Sequence, residues 1–327
     1  MDAGSEYSSI EILDTSMFPI YLVSLLMSFV SIYVYCRKDQ RRNTVGFLLL
    51  CLSIVQSAYL FLAMIEFSVF EMPFLPGHND RDSYKTYAKV LSNVYLFPFV
   101  CLFKESCILL TVLISTQQWL AVFHPLRVKL IFTKRNTHYA MTVVSIIAFI
   151  QMLPSLFEQQ MDWKTIASRP DPNFQDNKLL ELIKDFNENI WTSMVVFCVL
   201  FVLNSSIILK LKMSESTRLQ MTSQQKRDRR TTKILLSVML AYLVSHFLCI
   251  LIEHYKKKIL IFNDDDFVRH LSNSLISCHP LFSFMIYIKY SSKYRKTAME
   301  LLQIKRKSEI IRDVITPLRR RHKSVDN

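Results

Sequence analysis

Four ionisable side chains stand within or beside long apolar runs, and they are the residues best placed to do chemistry. Lys104 and Glu105 interrupt the run at 90–124, whereas Glu66 and Glu253 lie near the outer ends of two other runs. A charge near the centre of a bilayer costs about 2.5–3.5 kcal/mol, so such groups usually face a cavity or one another. We therefore expect them to bind an opposite charge, within the protein or on a ligand.

Two isolated histidines, His246 and His279, also fall within apolar runs. They lack ligand spacing such as H-x-x-x-H, so we interpret them as hydrogen-bonding core residues and expect no metal or other cofactor. No nucleophile–base set or pair of catalytic carboxylates stands out in the sequence. The pattern therefore favours a binding protein over an enzyme.

These residues must be positioned by seven apolar stretches. A hydrocarbon core of ~30 Å needs roughly twenty apolar residues per helix, and each stretch is long enough. We therefore predict an all-α membrane protein with a bundle of seven transmembrane helices. The stretches are residues 17–36, 44–65, 90–124, 139–157, 189–209, 234–252 and 270–288.

Lysine and arginine are divided unevenly between the two faces of this bundle. One face holds 28 of the 40, in segments 37–43, 124–137, 210–233 and 289–327, and the opposite face holds 11. Cytoplasmic segments carry the excess, which places the amino terminus outside and the carboxyl terminus inside. The net charge of +13 is then explained by anionic membrane lipids and needs no nucleic acid.

This layout has an extracellular amino terminus (1–16), a transmembrane domain (17–289) and a cytoplasmic amphipathic helix with a basic tail (290–327). In that last part, Tyr294 and Ala298 alternate with basic residues, which predicts a helix lying on the inner leaflet. All seven cysteines fall in or beside the apolar stretches, so we expect no disulfide. Three glycines are too few for a Gly-rich phosphate loop.

Five short segments carry a family resemblance. LAVFHPLR (120–127) and YIKYSSKYRKTAMELL (287–302) resemble the second inner loop and the end of the seventh helix of rhodopsin-like G-protein-coupled receptors. NVYLFP (93–98), LPSLFE (153–158) and TTKILL (231–236) are similar to invertebrate FMRFamide-type neuropeptide receptors, and divergent nematode chemoreceptors resemble this group too. The resemblance implies a multi-pass plasma-membrane receptor that transmits binding of an extracellular peptide or small molecule to a heterotrimeric G protein.

The resemblance also indicates a ligand site in the outer half of the bundle. An amidated peptide ending in Arg-Phe would place its guanidinium beside Glu66 or Glu253 and its ring beside Phe97. The alternative is an internal pair between Lys104 and a carboxylate that only neutralises itself. The candidate ligand-binding residues are Glu66, Phe97, Val100, Cys101, Lys104, Glu105, His246, Cys249, Glu253 and His279.

The sequence departs from the family at its signalling positions. Gln117 and Gln118 replace the acidic-Arg pair, and glutamine cannot form the bidentate pair that guanidinium makes with carboxylate. Gln56 stands where the second helix usually has a buried Asp, and Ser283 where the seventh has Asn. The implied G-protein face consists of Gln117, Gln118, Trp119, Arg229, Arg230 and Tyr287.

Two other functions stay open on the sequence alone, and a third is disfavoured. A small-molecule chemoreceptor is a variant of the receptor hypothesis. A non-signalling decoy or partner protein is favoured by the Gln117-Gln118 pair and by the missing prolines of helices five and six. A channel or transporter would need polar stripes, repeats or Gly/Pro-broken helices, and the sequence lacks them.

Overall fold

The computed structural model describes residues 3–38, 43–71, 95–167, 190–213, 223–255 and 274–301, and these contain no strand. Residues 274–277 and 292–301 are helical on either side of the last principal helix. The principal helices are α1 (Ala3–Cys36), α2 (Thr44–Glu71), α3 (Phe97–Phe123), α4 (Pro125–Ile131), α5 (Lys134–Ala167), α6 (Ile190–Met213), α7 (Ser223–Tyr255) and α8 (His279–Tyr290).

Six of the seven predicted spans are helices long and apolar enough to cross a bilayer. The seventh is described from residue 274 onward, through α8, and its first residues lie outside the described part. In lipid, a helix satisfies every backbone N–H and C=O within its own segment, which is why these runs adopt it. The prediction of an all-α membrane bundle is confirmed.

The helices extend beyond several of the predicted apolar limits. α1 begins at Ala3 instead of 17, and α7 begins at Ser223 instead of 234. Lys104 and Glu105 interrupt the apolar run of α3 but not its helix. The short helix α4 is not among the predicted elements; it begins with Pro125, whose fixed φ favours helix initiation.

Helix α3 lies at the centre of the bundle and contacts α2, α5, α6 and α7. α1 contacts both α2 and α8, while α7 contacts α6 and α8, so the outer helices close around α3. Neither α6 nor α7 contains proline, and their hydrogen-bond ladders therefore lack the usual cause of a sharp kink.

The apolar core of the described residues consists of three clusters, of which one lies toward the outer end of the bundle and one toward the inner end. Tyr21, Tyr59 and Val100 belong to the outer cluster, whereas Val34 and Leu110 belong to the inner one. Many core hydroxyls donate back to the carbonyl four residues earlier, as Thr111 does to Cys107 at 2.7 Å. This bond satisfies a buried hydroxyl without a partner helix. On the outside, Leu26, Phe29 and Val202 are more than half exposed, as expected for side chains that face lipid.

Candidate functional site

A small cavity lined by both polar and apolar side chains lies in the middle of the bundle, between α2, α3, α7 and residues 276–280. Its volume is about 20 Å³, which is enough for one water molecule or an ion of similar size. The polar residues that line it are Gln56, Tyr59, Lys104, Tyr242, Ser277 and His279. The other lining residues are apolar apart from Cys107, which carries a thiol.

Helical spacing explains why these side chains meet. On α2, Gln56 and Tyr59 are three residues apart, and on α3, Lys104 is followed by Cys107 and Ile108 at intervals of three and four. Residues at such intervals share one face of a helix. Because α2 and α3 pack side by side, the two faces enclose the cavity between them.

A hydrogen-bonded chain crosses from α2 to α8 beside this cavity. Gln56 Nε2 lies 2.9 Å from His279 Nδ1, and His279 Nε2 lies 3.2 Å from Ser283 Oγ. An amide nitrogen only donates, so Nδ1 accepts from Gln56, and the neutral ring then donates its Nε2–H to Ser283. His279 is therefore a buried bridge between two helices, as the interpretation of a core histidine predicted.

The second histidine belongs to the same aromatic group. His246 stacks on Tyr242 with ring centroids 5.7 Å apart, and Tyr242 meets His279 edge-on at 4.9 Å. His246 is 4% exposed, and neither ring nitrogen has a hydrogen-bond partner among the described residues. The prediction of a buried core residue is therefore confirmed for His246, but the predicted hydrogen bond is not found in the described part of the chain. Buried polar atoms are normally paired, so this ring is suited to receive a water molecule or a polar group of a ligand.

Three tyrosines form an aromatic cluster at the inner end of the bundle. The ring centroids of Tyr35 and Tyr287 are 5.9 Å apart, and Tyr287 stacks on Tyr294 at 5.2 Å. Tyr294 lies in the helical segment 292–301, where Tyr294 and Ala298 are buried while Lys293 and Arg295 are exposed. The predicted amphipathic pattern of this segment is confirmed for its described residues.

Two polar contacts join this segment to α1 and to Arg37, the residue that follows it. Ser31 Oγ and the Tyr294 hydroxyl share a hydrogen bond of 2.7 Å, and Arg37 forms a salt bridge of 2.9 Å with Glu300. The salt bridge is exposed, so it contributes little to stability. Burial raises the pKa of Tyr294 to about 12, against the opposing effect of the Ser31 hydrogen bond. The hydroxyl therefore stays protonated throughout the physiological pH range.

Tyr294→Phe tests this attachment. The variant keeps the ring contacts with Tyr35 and Tyr287 but loses the bond to Ser31, and we expect it to lower the free energy of unfolding by about 0.5–1.5 kcal/mol. Ser31→Ala should have a similar effect, and the double variant should cost little more than either single change. Thermal unfolding of the purified protein measures all three; fully additive costs would show that the two hydroxyls do not act together.

The inner end of α3 carries the two glutamines. Gln117 and Gln118 are both buried, and Gln117 Oε1 has no hydrogen-bond partner in the described part of the chain. Trp119 is partly buried and stacks on Phe123 at a centroid distance of 4.9 Å. On α7, an exposed Arg230 donates from Nη2 to the Tyr290 carbonyl at 3.0 Å. This contact satisfies a carbonyl at the end of α8.

The family described as 7 transmembrane receptor (rhodopsin family) matches residues 28–288, most of the chain. This chain belongs to that family. The match includes the cavity, the hydrogen-bonded chain and both glutamines. Members of the family are membrane receptors, so the multi-pass architecture and the receptor class predicted from the sequence are confirmed.

Two curated proteins are similar to the receptor along most of its length. FMRFamide peptide receptor frpr-18 of Caenorhabditis elegans is 23% identical over 305 residues, covering 87% of this chain and 67% of that protein. The FMRFamide receptor of Drosophila melanogaster is 20% identical over 286 residues, covering 84% of this chain and 51% of its own length. The predicted likeness to FMRFamide-type receptors is confirmed.

The structure brings together only part of the candidate ligand site. Lys104 and His279 line the cavity, and His246 joins them through Tyr242. Val100 is buried in the outer core cluster beside Tyr59. Cys249 is buried, while Phe97, Cys101 and Glu105 are partly buried. Glu66 and Glu253 belong to α2 and α7, but their side chains lie outside the described residues.

The signalling residues are also spread over the inner face of the receptor. Tyr287 is buried in the tyrosine cluster, whereas Arg230 lies on the surface against the end of α8. Arg229 is in α7, and its side chain is outside the described residues. Sequence reasoning missed Ser31 and Tyr35 as partners of this cluster. Their helical spacing of four indicated a common face of α1, but the partner of that face is more than 250 residues away in the chain.

Proposed function

We propose that this receptor binds a short amidated neuropeptide of the FMRFamide type and couples it to a heterotrimeric G protein at the plasma membrane. The observation that carries the proposal is that both similar curated proteins are named FMRFamide receptors and align with more than four fifths of this chain. The proposed layout is the predicted one, with 1–16 outside, 17–289 in the membrane and 290–327 in the cytosol. The receptor acts by binding, without catalysis.

The proposed peptide site lies in the outer half of the bundle, above the cavity. The peptide guanidinium would pair with Glu66 or Glu253, since charge-assisted hydrogen bonds to a carboxylate are strong. The phenyl ring would pack against Phe97 and Val100. His246, with two unpartnered ring nitrogens, and Lys104 would meet the carbonyl and amide groups at the carboxyl end of the peptide. Cys101, Glu105, Cys249 and His279 complete the proposed surroundings.

Activation would be a shift between two arrangements of the bundle. An agonist shifts such an equilibrium only by its difference in affinity for the two arrangements. The unpartnered atoms of His246 are suited to this role because a peptide group that reaches them gains a buried hydrogen bond. The G-protein face would comprise the inner ends of α3 and α7 with Tyr287.

A peptide panel tests the proposal directly. Cells expressing the full chain are exposed to amidated peptides ending in Arg-Phe, to the same peptides as free acids, and to small odorants, with G-protein dissociation as the readout. We expect responses to the amidated peptides that are at least tenfold more potent than those to the free acids. Responses to odorants alone would favour the chemoreceptor, and surface expression with no response to any ligand would favour the non-signalling partner.

Charge-neutral variants identify the partner of the peptide guanidinium. We expect Glu66→Gln or Glu253→Gln to raise the half-maximal peptide concentration by about tenfold or more, since a desolvated ion pair that loses one partner costs 2–5 kcal/mol. A peptide with citrulline in place of arginine is the matched control, because it lacks the charge. If neither variant changes the preference for arginine over citrulline, the assignment of these two carboxylates is wrong.

A further inference from the structure

We propose that the cavity beside Lys104 binds a small inorganic anion such as chloride. The proposal goes beyond peptide binding and does not depend on it. Its starting point is the sign of the charge around the cavity. Among the described residues that line it, Lys104 carries the formal charge, and that charge is positive.

The neutral groups around the cavity also suit an anion. Gln56, Tyr242 and Ser277 are among the lining residues, and their side chains carry an amide or a hydroxyl group that can donate a hydrogen bond. No carboxylate occurs among the lining residues within the described part of the chain. A cation at this point would meet the ammonium of Lys104 without an opposing charge, so the lining selects against it.

The size of the cavity limits the ligand to one small particle. A volume of about 20 Å³ suits one water molecule or a monatomic ion. Lys104 is partly buried at the level of the cavity, so it is not fully surrounded by water. A charge at this depth in a bilayer is costly, and an adjacent anion would lower that cost.

Glu105 is the natural competitor for the Lys104 charge. Successive residues of a helix lie about 100° apart around its axis, and Glu105 is not among the described residues that line the cavity. Its carboxylate attracts Lys104 from beside the cavity and therefore weakens the attraction that an anion feels. Removing the charge of Glu105 should strengthen anion binding, whereas removing the charge of Lys104 should abolish it.

Thermal unfolding of the purified full-length receptor in nanodiscs tests the site without any peptide. Sodium chloride is titrated against sodium gluconate at constant ionic strength, because gluconate is too large for the cavity. We expect a saturable rise in Tm with chloride, since a ligand that binds only the folded state stabilises it. Bromide should replace chloride, and chlorine NMR should show line broadening that bromide reverses.

The variants then decide whether Lys104 holds the ion. We expect Lys104→Gln to raise the chloride concentration that gives half of the rise in Tm by at least tenfold. Glu105→Gln should leave that concentration unchanged or lower it. Gln56→Asp places a carboxylate at the cavity and should abolish the response with Lys104 intact. Equal Tm values in chloride and gluconate for the natural chain would overturn the proposal, as would an unchanged response in Lys104→Gln or Gln56→Asp. If Lys104→Gln does not fold, the Tm values of Gln56→Asp and of the natural chain in chloride and gluconate still test the proposal.

Discussion

Replacing His279 by leucine is expected to lower the free energy of unfolding by about 1–3 kcal/mol. The histidine is buried and joins Gln56 on one side to Ser283 on the other. Leucine fills similar space but leaves the Gln56 amide without its partner, and a buried donor left unsatisfied costs this much. Thermal unfolding in nanodiscs measures the loss, with the natural chain as the reference.

A double variant separates the hydrogen bond from packing. Gln56→Leu combined with His279→Leu removes both partners, and such paired apolar replacements can be nearly neutral. We therefore expect the double variant to recover much of the stability lost by either single variant. A double variant that loses the sum of the single effects would show that the side chains stabilise the bundle by shape alone. Ser283→Ala removes the longer hydrogen bond of 3.2 Å and should lower the free energy of unfolding by less than Gln56→Leu or His279→Leu alone.

Restoring the acidic-Arg pair is expected to raise G-protein coupling. With Gln117→Glu and Gln118→Arg together, we expect agonist-driven guanine-nucleotide exchange to increase about tenfold, equivalent to about 1.4 kcal/mol. Both positions are buried, and Gln117 Oε1 already lacks a partner. In the receptors that this chain resembles, the arginine of this pair bonds its acidic neighbour in the inactive state and moves toward the G protein in the active state. Glutamine is uncharged, so it can neither form an ion pair with an acidic neighbour nor offer a positive charge to the G protein.

The matched control is Gln117→Glu with Gln118→Lys. It supplies the same charges but lacks the planar fork of guanidinium, so its gain should be smaller. Each single change leaves a buried charge without its partner, which costs about 3–5 kcal/mol, so both singles should lose surface expression. If exchange in the natural receptor equals that of the restored pair at matched surface expression, the altered motif has no effect on coupling.

The features read from single stretches of sequence were predicted well. Long apolar runs identified the membrane helices because in lipid each run must satisfy its own backbone. Lys104 interrupts the apolar run of α3, and a charge there was expected to need a cavity or a partner; in the structure this residue lines the cavity. The face of segment 292–301 that bears Tyr294 followed from helical periodicity.

The contacts between distant helices could not be predicted in the same way. The bond between Gln56 and His279 joins residues 223 apart, and that between Ser31 and Tyr294 joins residues 263 apart. Such pairs depend on which helices are neighbours and on the level in the bundle at which each residue lies. A short stretch of sequence contains neither piece of information. Helices α1 and α7 also begin before their apolar runs, because a backbone can stay helical beyond the apolar run.

The uninterrupted backbone of α7 has a mechanical consequence. Its 33 residues form a rod of about 50 Å, so a tilt of about 5° around the outer end would carry the inner end sideways by about 4 Å. Because the helix has no proline at which to bend, the whole of this displacement would reach its inner end. Arg230 lies in the inner part of α7, and its hydrogen bond to the Tyr290 carbonyl would have to break if this end of the helix moved outward.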